Sequence, residues 1–491
     1  MPDKPEILFI GMIHPGFLPY HEAGYGTKHR FNLMPHKHAI PALIAWLREN
    51  GCEGKYVWVD PNDKDHVKKA SEAIDEFRPH AIGFSLCTDE IKDNYSLLKG
   101  IKKKYPDLPA ILGGPHASAI PEHTLANFPL FDYVAIGEGE RTLTEWLQRI
   151  AAGQGSFEMK EVKGLGFREN GNIVINAPRE MVSDVNIFPI PAYDVLIPEG
   201  ADMTEEAMPL VCSYGCRFHC IFCGADHHNF RFLKPESFVD RIEMVQKKYG
   251  TKYIAIRDSF WPPSHDWLEG FFNEIERRNL KFEFQFLSKA GALNERQLRK
   301  LFEIGARVTM YGVEAGDPAI LKTVKKGITI DMARKNGRLL HDAGIYAVTF
   351  FIFGFKGENR QTIQASINLA AELNPGVSYF TPLAPLPGTE VYDQTPESDR
   401  DWWMREGTRP SLCELSPEEL DRLSKEAFIR YPLRWSYLKQ NVFFGNLPHE
   451  YRRIAWRFFT VQLRKYIPGI LERYAFFRLI IHGIKSAMKR G

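Results

Sequence analysis

Nowhere in these 491 residues is there an apolar run of about 20, the length a helix needs to cross a bilayer. The opening residues, Met1 to Glu6, lack the basic-then-apolar pattern of a secretory leader, so a cytoplasmic location is expected. Cysteine is scarce, with 7 in the chain, which excludes a disulfide framework as the basis of stability. An excess of one charge is also missing. The 63 Lys and Arg against 61 Asp and Glu leave a net charge of +2, so the whole chain carries no nucleic-acid footprint. A length of 491 residues with ordinary apolar and charged fractions predicts an enzyme-sized chain of two or three domains.

Against that scarcity, three cysteines fall within eight residues, in the run Cys212-Ser-Tyr-Gly-Cys216-Arg-Phe-His-Cys220-Ile-Phe-Cys223. Iron–sulfur clusters are held by cysteine thiolates. Three thiolates on a four-iron cubane leave one iron open to a small molecule. A zinc ion is the alternative, with Cys212 or His219 as fourth ligand, although zinc spacing normally repeats a Cys-x2-Cys pair. The triplet Cys216, Cys220 and Cys223, with aromatic Phe222 before the last, resembles the radical S-adenosylmethionine (SAM) superfamily. The resemblance implies a 4Fe-4S cluster whose open iron chelates SAM, which reduction then splits. It also implies that Cys212 is not a ligand.

The first 150 residues alternate short apolar runs with helical patterns. Strands are predicted at Ile7–Gly11, Lys55–Asp60, Ala81–Ser85, Pro109–Gly113 and Tyr133–Gly137, with helices at Ala39–Glu49, Val67–Phe77, Asn94–Lys104 and Thr142–Ala152. That alternation predicts a doubly wound parallel sheet, and five strands suit the flavodoxin-like order, which binds ligands at the strands' carboxyl ends. Small residues fall at those ends: Ser85, then Gly113-Gly114-Pro115-His116, then Gly137-Glu138-Gly139. Glycine there suits either a tight turn or the close approach of a ligand. The two glycine runs, upstream of the cysteine triplet, resemble the cobalamin-binding domain of B12-dependent radical SAM enzymes over roughly Pro5–Gly153. The resemblance implies a corrin lying over Ser85, Gly113, Gly114, His116, Gly137 and Gly139. The first loop departs from proteins that ligate cobalt through histidine. His14 is present, but the aspartate and spaced glycine of Asp-x-His-x-x-Gly are not, so His14 is expected to leave cobalt alone.

A joint follows at 154–207, with a hairpin predicted around Asn170-Gly171 and a stiff stretch through Pro189, Pro191 and Pro198. Six strand candidates between 208 and 397 then alternate with helices, which predicts a partial (β/α)6 barrel with its chemistry at the strands' C-terminal ends. Those ends carry Asp258, Glu314 and Glu358. The stretches around Glu314 and Glu358 and the turn Pro385-Leu-Pro-Gly-Thr389 resemble the family's own, save that Lys356 stands where relatives have proline. A carboxylate accepts hydrogen bonds from ribose hydroxyls, so Glu314 is expected to hold the SAM ribose. Asp258 is expected to contact SAM or substrate, and Glu358 to be structural.

The domains expected are therefore 1–153, 154–207, 208–397 and a helical region, 398–491. From Leu433 onward, 12 Lys and Arg meet 2 Asp and Glu, with 12 aromatic residues interleaved. Such a stretch serves either as a helical cap or as a peripheral membrane contact. The reading is a cobalamin-dependent radical SAM enzyme that methylates an unactivated carbon. Its partners are a small-molecule or lipid substrate and a reductant of flavodoxin or ferredoxin type, with nucleic acid not expected. Radical cyclisation, as in the anaerobic magnesium-protoporphyrin monomethyl ester cyclase family, stays open, as does a non-catalytic cobalamin sensor or carrier. The catalytic residues and the substrate are not legible in the sequence.

Overall fold

The structure is a computed structural model that describes residues 4–12, 38–225, 229–405 and 409–466. The chain divides into two compact units. Of the described residues, the first holds 4–12, 38–201 and 386–405; the second holds 202–385 and 409–466.

In the first unit β1 (Glu6–Met12), β2 (Glu53–Val59), β3 (Ala81–Ser85), β4 (Ala110–Gly113) and β5 (Tyr133–Ala135) run parallel in the order β2-β1-β3-β4-β5. This is the flavodoxin-like order expected. Ile7 and Phe9 face one core, Leu8 and Ile10 the other, and all four are at most 2% exposed, as a sheet covered on both faces requires. The hairpin β6 (Leu165–Glu169) and β7 (Asn172–Ile175) joins antiparallel at the β5 edge, so the segment read as a joint is part of the sheet. Its turn residues Asn170 and Gly171 both have positive φ, 51° and 82°, which a two-residue hairpin of this hand demands.

One segment belongs elsewhere than expected. Leu386–Glu406, read as the end of the barrel and the start of the tail, packs with the first unit. Trp403 is 5% exposed and sits edge-on to His116 at 5.4 Å and stacked against Tyr392 at 6.1 Å. Asp401 accepts from His123 Nε2 at 3.0 Å. Nothing periodic in the sequence marks these contacts.

The second unit is the partial barrel. Strands β8 (Ala207–Leu210), β11 (Tyr253–Ile256), β12 (Glu283–Ser288), β13 (Ala306–Glu314), β14 (Tyr346–Phe353) and β15 (Val377–Pro382) run parallel in that order. A small antiparallel ribbon, β9 (Ser213–Tyr214) and β10 (Arg231–Phe232), brackets the cysteine run. The first barrel strand stops at Leu210, two residues short of Cys212. The helix Pro417–Arg430 packs on β15, with Phe428 stacked on Tyr379 at 5.3 Å. In the helix His449–Tyr466, Tyr451, Ala455 and Phe458 are buried inside this unit, with Tyr451 against Tyr346 at the start of β14. No helix among the described residues is long and apolar enough to cross a membrane. Residues 467–491, where the rest of the basic and aromatic stretch falls, and His14 lie outside the described residues.

Candidate active site

The cysteine loop leaves the C-terminal end of β8 and is anchored by one buried carboxylate. Asp258, just after β11, is 1% exposed. Its Oδ1 accepts from the backbone N–H of Cys212 at 3.0 Å, the N–H of Ser213 at 2.5 Å and the Ser213 hydroxyl at 2.7 Å; its Oδ2 accepts from the Cys212 thiol at 3.4 Å. Burial pushes its pKa up to about 6 against the pull of these donors. Asp258, expected to contact SAM or substrate, is here engaged by the loop itself. With both oxygens engaged and no surface to offer, it fixes the take-off of the loop. Cys212 is likewise fully buried, its thiol turned to Asp258.

The other three thiols lie further along. Cys216 is 8% exposed, and Cys220 and Cys223 are half-buried. The backbone pins the turn through Cys223 N–H to Cys220 O at 3.1 Å and Ile221 N–H to Val324 O at 3.2 Å. Burial raises the Cys216 thiol and pushes Cys220 up to about 11, while the Lys326 ammonium pulls both down. Metal binding requires thiolate, so a nearby cation favours the ligating form. Among the described residues no three His, Cys, Asp or Glu side chains are gathered as ligands of a single ion. A cubane asks instead for thiolates on separate irons. Three soft donors with lysine in electrostatic reach fit that group.

Glu314 ends β13 with a left-handed φ of 69°, costly for a residue with a Cβ. Its carboxylate turns back over Gly312, where an added Cβ would collide with Oε1, and forms an ion pair with Lys326. Glu314 is 3% exposed, and burial of such a pair is sustained only while both partners are present. The Lys326 ammonium also lies 5.9 Å from the Phe222 ring, which in turn meets Phe355 edge-on at 5.8 Å. Glu314, Lys326 and the aromatic between two cysteines are thus brought together. The sequence reading passed over Lys326, in Lys325-Lys326-Gly327, because lysine is by default a surface residue.

Glu358 is fully buried, and its Oε2 accepts from the N–H groups of Gly354 at 2.6 Å and Phe355 at 2.9 Å. Its Oε1 has no partner among the described residues, and burial pushes its pKa up to about 7. It shapes the β14 turn, the structural role expected for it.

The first unit presents a different edge. Ser85, Gly113, Gly114 and Gly137 gather at the carboxyl ends of β3, β4 and β5. An added Cβ at Gly137 meets nothing within 4 Å, and at Gly113 nothing closer than 3.8 Å, so a shelf without side chains lies open. Gly114 differs. With φ of 94°, its Cβ would fall 2.8 Å from the backbone of Leu86. Gly139 opens the helix Gly139–Ala151 close to Leu43. An open glycine shelf is the surface a flat macrocycle requires, and these residues fit that group. His116 lies deeper than the glycines. At 1% exposure it backs the shelf, with Nδ1 3.2 Å from Thr88 Oγ1 and Nε2 without a partner among the described residues. Burial lowers its pKa to about 4, so it is neutral.

Comparison with known proteins agrees with both edges. The family model for the B12 binding domain matches residues 29–147, and that of the radical SAM superfamily matches 210–370. This is a B12-binding radical SAM protein. Among curated relatives of this radical SAM chain, an uncharacterized methyltransferase of Pyrococcus horikoshii is 27% identical over 391 residues, covering 76% of the chain and 83% of the relative. The anaerobic magnesium-protoporphyrin IX monomethyl ester cyclase of Rubrivivax gelatinosus is 24% identical, covering 72% and 66%. Among solved structures, the radical SAM methyltransferase TsrM of Kitasatospora setae, determined with cobalamin and a [4Fe-4S] cluster bound, superposes with a TM-score of 0.62 at 18% identity, covering 80% of this chain and 75% of that one. That likeness establishes the fold.

Proposed function

We propose that this protein is a cobalamin-dependent radical SAM methyltransferase acting on an unactivated carbon. The observation behind the reading is the pairing, in one chain, of a three-cysteine loop at the C-terminal end of a parallel barrel with an open glycine shelf at the carboxyl end of a flavodoxin-like sheet. When bound, the cluster supplies the electron that splits SAM, and the cobalamin carries the methyl group.

The chain's own part is binding, orientation and the exclusion of water. Cys216, Cys220 and Cys223 hold the cluster and leave one corner open, and Asp258 fixes the loop that carries them. Lys326 holds Glu314 ready for the ribose hydroxyls of SAM and places a positive charge near the thiolates. Ser85, Gly113, Gly114, Gly137 and Gly139 cradle the macrocycle, with His116 as a neutral backing and no contact of its own. The electron comes from an external donor of flavodoxin or ferredoxin type. The substrate is a small molecule or lipid, with the buried aromatics of 433–463 capping the barrel unit.

Anaerobic reconstitution with iron, sulfide and cobalamin tests this. With dithionite and SAM bearing a deuterated methyl group, the protein should form 5′-deoxyadenosine, and the product should gain the labelled methyl. A product without the label identifies the cyclisation known by name among the relatives. Cobalamin binding without SAM cleavage identifies a carrier.

A further inference from the structure

Beside the cysteine loop lies a cavity of about 220 Å³, whose walls include Arg217, Phe218, Phe260, His265, Lys289 and Met332. It belongs wholly to the barrel unit, at the ends of β11 and β12. Two cations border it. Arg217, between Cys216 and Phe218, has its guanidinium 4.9 Å from the Phe230 ring and 5.5 Å from the Phe260 ring, and it donates to the Pro263 carbonyl. Planar stacking of this kind fixes the fork without using all of its donors. Lys289 is half-buried, with its ammonium 3.7 Å from the centre of the Phe218 ring. Neither cation has a carboxylate partner among the described residues, in a chain where Lys and Arg pair widely with Asp and Glu.

Arg217 is exposed but held in place by the two rings, and Lys289 is half-buried, so an acid entering the cavity would meet two cations, one of them partly withdrawn from water. Apart from Ser264 and His265, the rest of the wall is apolar, with Phe218 and Phe260 packed edge-on at 4.9 Å. A volume of about 220 Å³ falls below the roughly 300–1,000 Å³ of sites that hold whole drug-sized ligands, so the cavity suits one end of a molecule.

We propose that the Arg217–Lys289 cavity is an anion subsite that receives a carboxylate or phosphate group with an apolar portion against Phe218 and Phe260. It rests on the enzymatic reading above for its purpose: the acidic group belongs to the substrate, or to the amino acid end of SAM, and the test separates these. Arginine presents a fork that matches either acid, and lysine adds a point charge.

The test is calorimetric titration of the reconstituted full-length protein with inorganic pyrophosphate and, separately, with SAM. The wild type should bind pyrophosphate. Lys289→Gln and Arg217→Gln should each weaken it at least tenfold, and Lys289→Arg should restore most of the affinity. Iron content and melting temperature serve as folding controls. If Arg217→Gln loses iron through its neighbour Cys216, the Lys289 pair decides alone. SAM affinity that falls in step with pyrophosphate affinity assigns the anion to SAM; SAM affinity that holds while pyrophosphate binding is lost assigns it to the substrate. Absence of pyrophosphate binding in the wild type, or equal binding in both glutamine variants, overturns the subsite. A failure of the enzymatic reading shows up separately, as absence of 5′-deoxyadenosine in the wild type.

Discussion

Each unit has its candidate edge at the carboxyl ends of its own parallel strands, yet the two edges are built from opposite materials. The edge of the first unit is made by leaving side chains out. Gly113, Gly114 and Gly137 expose backbone, and the titratable group behind them, His116, is kept neutral. The edge of the barrel is made by burying charge. Asp258, Glu314, Lys326 and Glu358 are all largely withdrawn from water, each held by specific donors or by a partner. A shelf of backbone recognises shape and tolerates a bulky neutral ring, whereas a cluster of buried charges sets electrostatics around thiolates and polar ligands. The contrast matches a macrocycle at one edge and a charged cluster with SAM at the other.

Substitutions can break that contrast. The largest effect should come from Gly114→Val. Its φ of 94° and the 2.8 Å approach to Leu86 leave no room for a side chain, so cobalamin binding should vanish, while iron content of the barrel unit should persist. Loss of both would mean that the edges are not built independently. Next comes Lys326→Met, which leaves the Glu314 carboxylate buried without its partner. Removing one member of a buried pair costs about 3–5 kcal/mol, and denaturant midpoints should record it. Lys326→Arg should recover much of the loss.

Smaller effects sharpen the comparison through pH. The Glu358 pKa is raised to about 7, so in the folded state it favours the protonated form. Its stabilising contribution is complete below about pH 4.5 and is lost as pH rises through 7. Glu358→Gln should narrow the stability difference between pH 5 and pH 8 by about 2–3 kcal/mol, since one pKa unit is worth about 1.4 kcal/mol. His116 runs the other way. Its pKa is lowered to about 4, so its contribution is complete above about pH 6.5 and is lost as pH falls toward 4. His116→Gln should flatten the acid side of the profile and leave the alkaline side alone. The same sign for both variants in denaturation measured from pH 4 to pH 8 would remove the physical basis of the contrast.

Much of this was legible before any coordinates. Strand order followed from buried apolar runs such as Ile7–Ile10 alternating with amphipathic helices, and the hairpin from Asn170-Gly171. The cysteine spacing marked the loop. What the sequence hid is non-local. The barrel's first strand ends at Leu210 because Asp258, 46 residues beyond Cys212, draws the backbone of Cys212 and Ser213 into its own hydrogen bonds. Leu386–Glu406 returns to the first unit through Trp403 and Asp401, contacts that leave no periodic trace. His116 sits in the right motif but is covered, and Lys326 and Lys289 are ordinary lysines until a fold sets them beside thiols.

The central claim is that three thiols and no others open this chain to SAM chemistry. The most direct test compares anaerobically reconstituted wild type, Cys220→Ser and Cys212→Ala for iron content and for 5′-deoxyadenosine formed from SAM with dithionite. The account predicts iron and cleavage in the wild type and in Cys212→Ala, and neither in Cys220→Ser. Cleavage that survives in Cys220→Ser, or loss in Cys212→Ala as complete as in Cys220→Ser, would contradict it.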